Sequence, residues 1–239
     1  MNLAIDNGNT RIKAATFSGT KLQEKFLFNT SQQLRSFLEK EEFENCIVSS
    51  VSQSTEEVLE WIRCRGKKLS LSVHLHLPIT ILYRTPDTLG VDRIAAVCGA
   101  VQVFPHQHCL VVDAGTCINY EFLDDLSNYH GGSISPGILM RFEAMHKFTA
   151  RLPLLNEISK TDLVGNSTES CMKSGVINGV LAEVDGIIAQ YTQKFPGLGV
   201  ILCGGDAPFF ENNLKHPIFA APDLVLQGLN RILLHNVHL

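Results

Sequence analysis

A strand-and-turn pattern that occurs twice, about half the chain apart, constrains this fold most strongly. The apolar run Leu3–Ile5 leads into Asp6-Asn-Gly-Asn-Thr10, and the run Leu110–Val112 leads into Asp113-Ala-Gly-Thr116. A further strand-like segment follows each turn. A repeat of this length is too long for a solenoid and predicts a duplicated domain.

The order of strand-like and helical patterns around each copy predicts α/β domains with mixed sheets. In the first half, strands are predicted at 3–5, 11–17, 22–28, 46–48 and 73–77, and helices at 31–42, 54–61 and 94–101. In the second half, strands are predicted at 110–112, 117–122, near 129 and at 200–202, and helices at 137–150, 168–194 and 223–235.

Two local features refine this prediction. Ser54 stands three residues before Glu57, which is the spacing of a capping box at the start of a helix. No low-complexity segment separates the two halves, so we expect them to share a packed interface. The predicted domain bounds are 1–103 and 104–239.

Composition excludes several classes of protein. Hydrophobic residues make up 45% of the 239 positions and charged residues 18%, with a net charge of −4, so no basic field indicates nucleic acid or an anionic membrane as a partner. The seven cysteines are scattered without Cys-x-x-Cys spacing, which favours reduced thiols in the cytoplasm over a disulfide framework or a zinc site. No signal peptide or membrane span is predicted.

The Asp-x-Gly turns carry the chemistry. An Asp at the end of a strand can hold a hydrated Mg²⁺, while the glycine lets backbone N–H groups approach a phosphate closely. One such turn alone is compatible with ordinary hairpin chemistry. Two copies at equivalent points of a repeat favour a phosphate-handling site.

The better-known nucleotide motifs are missing from the sequence: it contains neither a Gly-x4-Gly-Lys-Ser/Thr loop nor a Gly-x-Gly-x-x-Gly turn after a strand. Gly204 and Gly205 follow a predicted strand. They are compatible equally with an adenosine contact and with a plain tight turn.

A second motif, Gly90-Val-Asp-Arg93, precedes an alanine-rich helix. Asp92 is compatible with a helix N-terminal charge or with a base for a substrate hydroxyl, and Arg93 with a surface partner or a carboxylate clamp. Tyr83 is uninformative alone. The segment Asn166-Ser-Thr168 is typical of a helix N-cap.

In combination and in order, these motifs resemble the type III pantothenate kinases of the acetate and sugar kinase, heat-shock chaperone and actin superfamily. The likeness covers nearly the whole chain and includes His130-Gly-Gly-Ser-Ile-Ser-Pro-Gly137, which is similar to the family's Gly-Gly-x-Ile-x-Pro-Gly segment. Cys203 and Asp206 depart from the Thr and Leu that usually flank the adenosine glycines, and Arg11 stands where many members have a small or amide residue.

The resemblance implies two ribonuclease H-like domains, each with a mixed five-stranded sheet flanked by helices, and an active site in the cleft between them. It implies ATP-dependent conversion of pantothenate to 4′-phosphopantothenate, the first step of coenzyme A biosynthesis. It also implies Mg²⁺, a monovalent cation (potassium or ammonium) and a cytoplasmic homodimer whose C-terminal domain forms the interface.

The resemblance also assigns roles to individual residues. Asp92 is the implied catalytic proton acceptor, Asp113 the monovalent cation ligand, and Asp6 a magnesium ligand through water. The implied nucleotide contacts are Asp6, Asn7, Gly8, Asn9, Thr10, Arg11, Ile12, Lys13, Thr116, Gly204 and Gly205. The implied pantothenate contacts are Tyr83, Gly90, Val91, Asp92, Arg93 and Thr168, and the family's substrate pocket at the subunit interface implies that Thr168 acts from the partner chain.

Two alternatives stay open at this point. One is a non-catalytic regulatory relative that keeps the fold, which the presence of Asp6, Asp92 and Asp113 disfavours. The other is a kinase of the same superfamily acting on another small hydroxyl substrate such as a sugar, which the Gly-x-Asp-Arg motif with Tyr83 disfavours.

Overall fold

A computed structural model describes residues 1–8, 11–50 and 54–237 of the chain. The chain divides into two compact units. Unit 1 comprises Met1–His106, Leu126–His130 and Asp223–Leu239, and unit 2 comprises Gln107–Asp125 and Gly131–Pro222.

The strands follow the predicted order closely. They are β1 (Asn2–Asn7), β2 (Ile12–Ser18), β3 (Lys21–Phe28), β4 (Glu42–Phe43), β5 (Cys46–Ser50), β6 (Arg63–Cys64), β7 (Lys68–Ser70), β8 (Thr80–Ile81), β9 (Cys109–Ala114), β10 (Cys117–Leu123), β11 (Asn128–Pro136), β12 (Gly199–Cys203) and β13 (Phe219–Ala220).

The helices are α1 (Ser31–Leu38), α2 (Thr55–Trp61), α3 (Val91–Val103), α4 (Ile138–Lys147), α5 (Thr168–Lys194), α6 (Ala207–Glu211) and α7 (Leu224–Val237), with a short 3₁₀ turn at Pro86–Thr88. None of the helices in the described residues is long and apolar enough to cross a membrane.

Strand order confirms the duplication. The first sheet has the order β3-β2-β1-β5-β7, in which β1 and β2 are antiparallel and β1 and β5 parallel. The second has the order β11-β10-β9-β12-β13, with β9 and β10 antiparallel and β9 and β12 parallel. The short β8 adds a sixth strand to the second sheet by pairing with Asn128 and Tyr129. The predicted mixed five-stranded sheets are therefore confirmed, with this one addition.

Each unit has its own apolar core. In unit 1, alternate residues of β1 and β2, among them Leu3, Ile5 and Ala14, pack against α1 and α2. In unit 2, the strands β9, β10 and β12 pack against α4 and α5 through side chains such as Val112 and Phe142. Strands buried on both faces read as continuous apolar runs, and helices with one buried face read as a 3.6-residue period, and these are the patterns by which the elements were predicted.

The predicted domain bounds differ from the compact units at the C-terminal helix. The sequence prediction assigned it to the second domain, whereas α7 groups with unit 1. Its packing on α3 explains the difference: a Cβ added at Gly228 would stand 1.8 Å from the carbonyl oxygen of Ala95, and one at Gly99 would stand 2.5 Å from that of Leu224. Only glycines allow the two helix backbones to approach this closely.

Three local predictions were wrong. Residues 73–77 form a turn instead of a strand, because Lys68–Ser70 already pairs with β5 and the chain leaves the sheet after Leu71. The first helix ends at Leu38 instead of near 42, and Glu42 begins β4. The capping box at Ser54 is not formed, because its hydroxyl donates to Glu56 Oε2 at 2.6 Å and accepts no helical N–H.

Candidate functional site

The first Asp-x-Gly segment begins at the end of β1, the central strand of the first sheet, whose last two residues are Asp6 and Asn7. Asp6 lies in register with Lys13 on β2 and with Ser49 on β5. Asn7 is buried, and its amide nitrogen donates to Ser50 Oγ at 3.2 Å. Two neighbouring strands therefore place polar side chains together at their carboxyl ends, as parallel strands do.

The remaining first-loop residues have mixed environments. Gly8 is half-buried, Arg11 is exposed and Ile12 is buried. Asn9 and Thr10 were also predicted as nucleotide contacts, but they lie outside the described residues.

Ser49 is a candidate that the sequence reasoning missed. Its side chain is fully buried, and its Oγ has no hydrogen-bond partner among the described residues. Because it is the register partner of Asp6 in a parallel pair, both side chains lie on the same face of the sheet. The available signal was the hydroxyl pair Ser49-Ser50 at the end of an apolar strand.

Gly90, the N-cap of α3, leaves room for the predicted base. The Asp92 carboxylate lies in the first turn, where Oδ1 accepts a hydrogen bond from the Arg93 backbone N–H at 2.9 Å. A Cβ at position 90 would stand 2.6 Å from that Oδ1. The glycine thus permits this carboxylate position, which any side chain there would disturb.

Arg93 and Tyr83, two of the predicted pantothenate contacts, lie next to each other in unit 1. Arg93 is only 8% exposed, and its Cζ lies 5.6 Å from the centre of the Tyr83 ring. Tyr83 stacks on Tyr129 with ring centres 6.3 Å apart and an angle of 9° between the planes. A guanidinium held over a ring in this way gains about 0.5–2 kcal/mol. Tyr129, buried behind Tyr83, was not predicted to take part.

In unit 2, the second Asp-x-Gly turn connects β9 and β10. Asp113 lies in register with Cys203 on β12, so the turn and the predicted adenosine glycines occupy the same end of neighbouring parallel strands. Thr116 is exposed at the turn, and Gly115 N–H donates to the carbonyl of Cys117 at 2.9 Å. The predicted second phosphate loop and adenosine motif are thus brought together.

Gly204 packs directly on this loop. Its φ is +95°, and a Cβ there would stand 2.2 Å from the carbonyl oxygen of Ala114 and 2.5 Å from Asp113 Oδ1. A backbone hydrogen bond also joins this segment to the loop: Asp206 N–H donates to the Ala114 carbonyl at 2.9 Å. Burial raises the pKa of the Asp206 carboxyl. Position 204 therefore requires glycine for both its backbone conformation and its packing.

Gly137, between β11 and α4, contacts the same loop. Its N–H donates to the Thr116 carbonyl at 3.0 Å, and a Cβ there would stand 2.1 Å from the carbonyl oxygen of Gly115. The loop that bears Thr116 is thus in contact with two glycine backbones, at 137 and 204.

A charged network holds the segment before Gly137. Arg141 on α4 donates from Nε to the Pro136 carbonyl at 2.9 Å, and from Nη2 to Ser135 Oγ at 2.8 Å and to Glu183 Oε2 at 2.6 Å. Glu183 on α5 also accepts from the Tyr120 hydroxyl at 3.1 Å. This network ties α4, α5 and β10 to the end of β11, and nothing in the local sequence pattern indicated it.

The pKa values of the network reflect these contacts. Burial alone raises the pKa of Glu183, but the hydrogen bonds from Arg141, Ser135 and Tyr120 and the charge of Arg141 outweigh it and lower that pKa overall. Burial, followed by the charge of Glu183, raises the pKa of the Tyr120 hydroxyl. Glu183 is therefore held as a carboxylate, and Tyr120 as a neutral donor.

Thr168 is the first residue of α5, in unit 2, whereas the other predicted substrate residues belong to unit 1. The predicted N-cap is confirmed: Ser167 accepts from Ser170 N–H, and the Ser170 hydroxyl completes a capping box. Thr168 is exposed and lines a cavity of about 720 Å³ whose wall includes Met145 and Leu152.

Two oxygen atoms lie near each other at the second loop, and one of them, the Ala114 carbonyl oxygen, already accepts the Asp206 N–H. Asp113 Oδ1 and the Ala114 carbonyl oxygen both lie where a Gly204 side chain would stand, and oxygen ligands are those that alkali ions and Mg²⁺ use. The described residues contain no group of three or more His, Cys, Asp or Glu side chains able to hold a metal ion. Any cation here would depend on carbonyl, water or phosphate oxygens for its remaining ligands.

Comparison with known proteins identifies the family. A family model described as type III pantothenate kinase matches residues 2–190. Proteins named type III pantothenate kinase are similar over the full length. The one from Bacteroides fragilis is 45% identical over 99% of this chain and 98% of its own, and the one from Cytophaga hutchinsonii is 42% identical over 99% and 100%.

Solved structures at lower identity share the fold. A Campylobacter jejuni protein described as a conserved putative Baf family transcriptional activator superposes with a TM-score of 0.65 at 23% identity, over 99% of this chain and 100% of that chain. A putative 2-dehydro-3-deoxygalactonokinase from Sinorhizobium meliloti gives 0.59 at 12% identity, over 97% and 98%. These likenesses concern the fold alone. The family model and the full-length relatives together show that this chain belongs to the type III pantothenate kinase family.

Proposed function

We propose that this chain transfers the γ-phosphoryl group of ATP to the hydroxyl of pantothenate and forms 4′-phosphopantothenate, the first step of coenzyme A biosynthesis. Membership in the family supports the activity. The observation that carries it is the juxtaposition of a carboxylate, Asp92, with a buried guanidinium, Arg93, held over Tyr83. A substrate that carries both a hydroxyl and a carboxylate matches these two groups.

In this proposal Asp92 accepts the proton of the attacking hydroxyl, and Arg93 binds the pantothenate carboxylate through paired N–H donors. Tyr83 fixes the plane of the guanidinium. The backbone of Gly90 and Val91 supplies further contacts to pantothenate. Thr168 is proposed as a further pantothenate contact. Phosphoryl transfer needs little covalent chemistry from the protein, so positioning and charge neutralisation supply most of the rate.

For the nucleotide, we propose contacts from the first loop, from Thr116 and from Gly204 and Gly205. The first-loop contacts are Asp6, Asn7, Gly8, Asn9, Thr10, Arg11, Ile12 and Lys13. Asp6 would hold Mg²⁺ through water, and Asp113 with the Ala114 carbonyl would hold a monovalent cation. Both ions would neutralise phosphate charge.

We also propose a homodimer in the cytoplasm. Support comes from exposed apolar side chains between α4 and α5 of unit 2, where Phe148, Leu163 and Val164 are each about 80% exposed. We propose that these side chains form one contiguous apolar patch, since patches of that kind mark interfaces. Sedimentation of the purified protein at twice the monomer mass would support the dimer, and a monomer at micromolar concentration would contradict it.

One coupled assay tests the activity. Purified protein receives ATP, Mg²⁺ and potassium with either pantothenate or a panel of sugars, and ADP release is followed. We expect ADP release only with pantothenate. ADP release with a sugar would indicate another kinase of the superfamily, and binding of pantothenate without turnover would indicate a non-catalytic relative.

The same assay tests the cation. With chloride as the common anion, we expect faster turnover in potassium or ammonium than in sodium at equal ionic strength. Equal rates in all three salts would contradict the proposed role of Asp113.

A further inference from the structure

Two cysteines that the proposed reaction does not use lie in contact in unit 1. Cys46 is the first residue of β5 and is fully buried, whereas Cys64 is the last residue of β6 and is half-buried. Cys64 packs against the apolar core cluster that includes Cys46. The other cysteines that are not fully buried, Cys117 and Cys171, belong to unit 2.

A bulge in one of two paired segments accompanies this contact. β4 pairs with β6 at Cys64, and β5 pairs with β7 at Cys46, but two residues separate β4 from β5 and three separate β6 from β7. The longer segment bulges at Gly66, whose N–H donates to the Glu44 carbonyl at 2.7 Å. A Cβ at position 66 would stand 2.3 Å from Asn45 Oδ1. Glycine therefore permits the close approach of the two segments.

The Lys67 carbonyl in this bulge contacts both cysteines. It accepts the Cys46 backbone N–H at 2.9 Å, and Cys64 Sγ lies 3.5 Å from the same oxygen. Cys64 Sγ also lies 3.2 Å from the Glu44 carbonyl oxygen. The two thiols form a hydrogen bond with each other, and burial followed by this neighbour raises the pKa of Cys46 to about 12. Contact between the two side chains is the first requirement for a disulfide.

Exposure gives the two thiols different reactivity. A half-buried thiol can meet an oxidant from solution, whereas a fully buried thiol that stays protonated is inert toward it. Oxidation of an accessible thiol gives a sulfenic acid, which condenses with a neighbouring thiol to form a disulfide. Cys64 is thus suited to react first, and Cys46 to react with the product.

We propose that Cys64 and Cys46 form a reversible disulfide when the protein meets a peroxide. Cys64 loses its proton to solvent, and its sulfur attacks one peroxide oxygen. The O–O bond breaks, Cys64 becomes a sulfenic acid, and the other oxygen leaves and takes up a proton. The Cys46 sulfur then displaces hydroxide from the sulfenic acid, and the hydroxide leaves as water with the Cys46 proton. The dithiol loses two electrons, the peroxide gains them, and a thiol reductant restores both S–H groups.

Peptide mapping of the folded, full-length protein tests this proposal. The protein is exposed briefly to hydrogen peroxide at neutral pH, the remaining thiols are blocked with an alkylating reagent, and the protein is digested without reductant. We expect a linked pair of peptides that contain Cys46 and Cys64, and we expect dithiothreitol to separate them. A second sample that contains dimedone, which traps sulfenic acids, should carry the adduct on Cys64.

Cys46→Ala removes the second thiol and keeps a small apolar side chain in the core. The linked pair should be lost, and Cys64 should proceed to the sulfinic acid at a peroxide dose that gives the disulfide in the unmodified protein. Cys171→Ser is the matched control, because it removes an exposed thiol of unit 2 and should keep the Cys46–Cys64 disulfide. If Cys46→Ala does not fold, the map of the unmodified protein decides the question by itself.

Three outcomes would overturn the proposal. The first is oxidation of the folded protein without a Cys46–Cys64 peptide pair, or a pair that forms only after denaturation. The second is a disulfide that joins Cys64 to a different cysteine. The third is a dimedone adduct on Cys46 in place of Cys64, which would contradict the assigned order of reaction.

Discussion

The two Asp-x-Gly loops occupy equivalent points of two sheets with the same strand order, yet their surroundings differ. The second loop is packed against backbone: Gly204 on one side and Gly137 on another leave no room for a Cβ. Among the described residues, the first loop shows no such crowding at Gly8, where the atom nearest to an added Cβ is the Arg11 carbonyl oxygen at 3.4 Å. Its visible support is a side-chain hydrogen bond from Asn7 to Ser50.

This difference suggests that the duplicated loops have diverged in how their positions are maintained. The second loop depends on glycine backbones and on the Arg141–Glu183 network behind them. In unit 1, the tightest glycine packing lies between α3 and α7, and therefore supports the helix that bears Asp92. Close glycine packing thus holds the phosphate loop in unit 2, whereas in unit 1 it holds the helix that bears the proposed base.

The largest expected effect tests the backbone contacts of the second loop. Gly204→Ala forces a left-handed φ on an alanine and drives its Cβ into the Ala114 carbonyl, so we expect a loss of about 2–5 kcal/mol in the free energy of unfolding. Gly8→Ala should cost less than about 1 kcal/mol. Denaturant unfolding measures both.

Gly205→Ala is the matched control for this pair, because no atom of the described residues lies within 4 Å of its added Cβ. Equal losses at 204 and 205, or a larger loss at 8 than at 204, would contradict the stated contrast between the loops.

A smaller effect is expected from Arg141→Lys. Lysine keeps the charge but cannot bond Pro136, Ser135 and Glu183 together, so the segment that contacts Thr116 loses its support. Since Thr116 is a proposed nucleotide contact, we expect the KM for ATP to rise by about threefold to tenfold, the effect of about one lost hydrogen bond, with the KM for pantothenate unchanged.

Arg35→Lys provides the control, since the Arg35–Glu39 pair on α1 is about half exposed and contributes little. A fall in thermal stability with both KM values unchanged would show that Arg141 is only structural. Equal rises in both KM values would likewise remove its assignment to the nucleotide side.

The smallest effect concerns pH. The folded-state pKa of Glu183 is lowered from 4.5, so its contribution to stability is present above that value and is lost as the pH falls through the folded-state pKa. The stability difference between the unmodified protein and Glu183→Gln should therefore shrink as the pH is lowered from 6 to 3. Denaturant unfolding across this range measures it, and a difference that grows toward low pH would contradict the carboxylate assignment.

The parts of this molecule that could be predicted from sequence are those with local signatures. The strand–turn repeat predicted both sheets, and Ser167 marked the start of α5 at Thr168. The position of α7 could not be predicted, because a helix that follows the second repeat in sequence packs on α3 of the first unit through Gly99 and Gly228.

The residues of the candidate site also divide into those with a local sequence signature and those without one. Asp92 and Arg93 were recognisable because they are neighbours in a motif. Tyr129, Ser49 and Glu183 lie beside Tyr83, Asp6 and Arg141 only in the folded chain, across long sequence separations, and single residues of these types carry no pattern. Residues 73–77 illustrate the opposite failure: they were predicted as a strand, but Lys68–Ser70 is the segment that pairs with β5, and 73–77 joins no sheet.

The most direct test of the proposed function is the turnover of Asp92→Asn with pantothenate and ATP. Asparagine has nearly the same shape and keeps an oxygen for the Arg93 N–H, but it cannot accept the substrate proton, so kcat should fall by about 10²-fold or more with thermal stability and ATP binding retained. Asp87→Asn, which changes an exposed aspartate in the preceding 3₁₀ turn, is the control and should keep full turnover. Loss of turnover in Asp92→Asn alone is the predicted result, and near-normal turnover in that variant would contradict the role of Asp92 as the base.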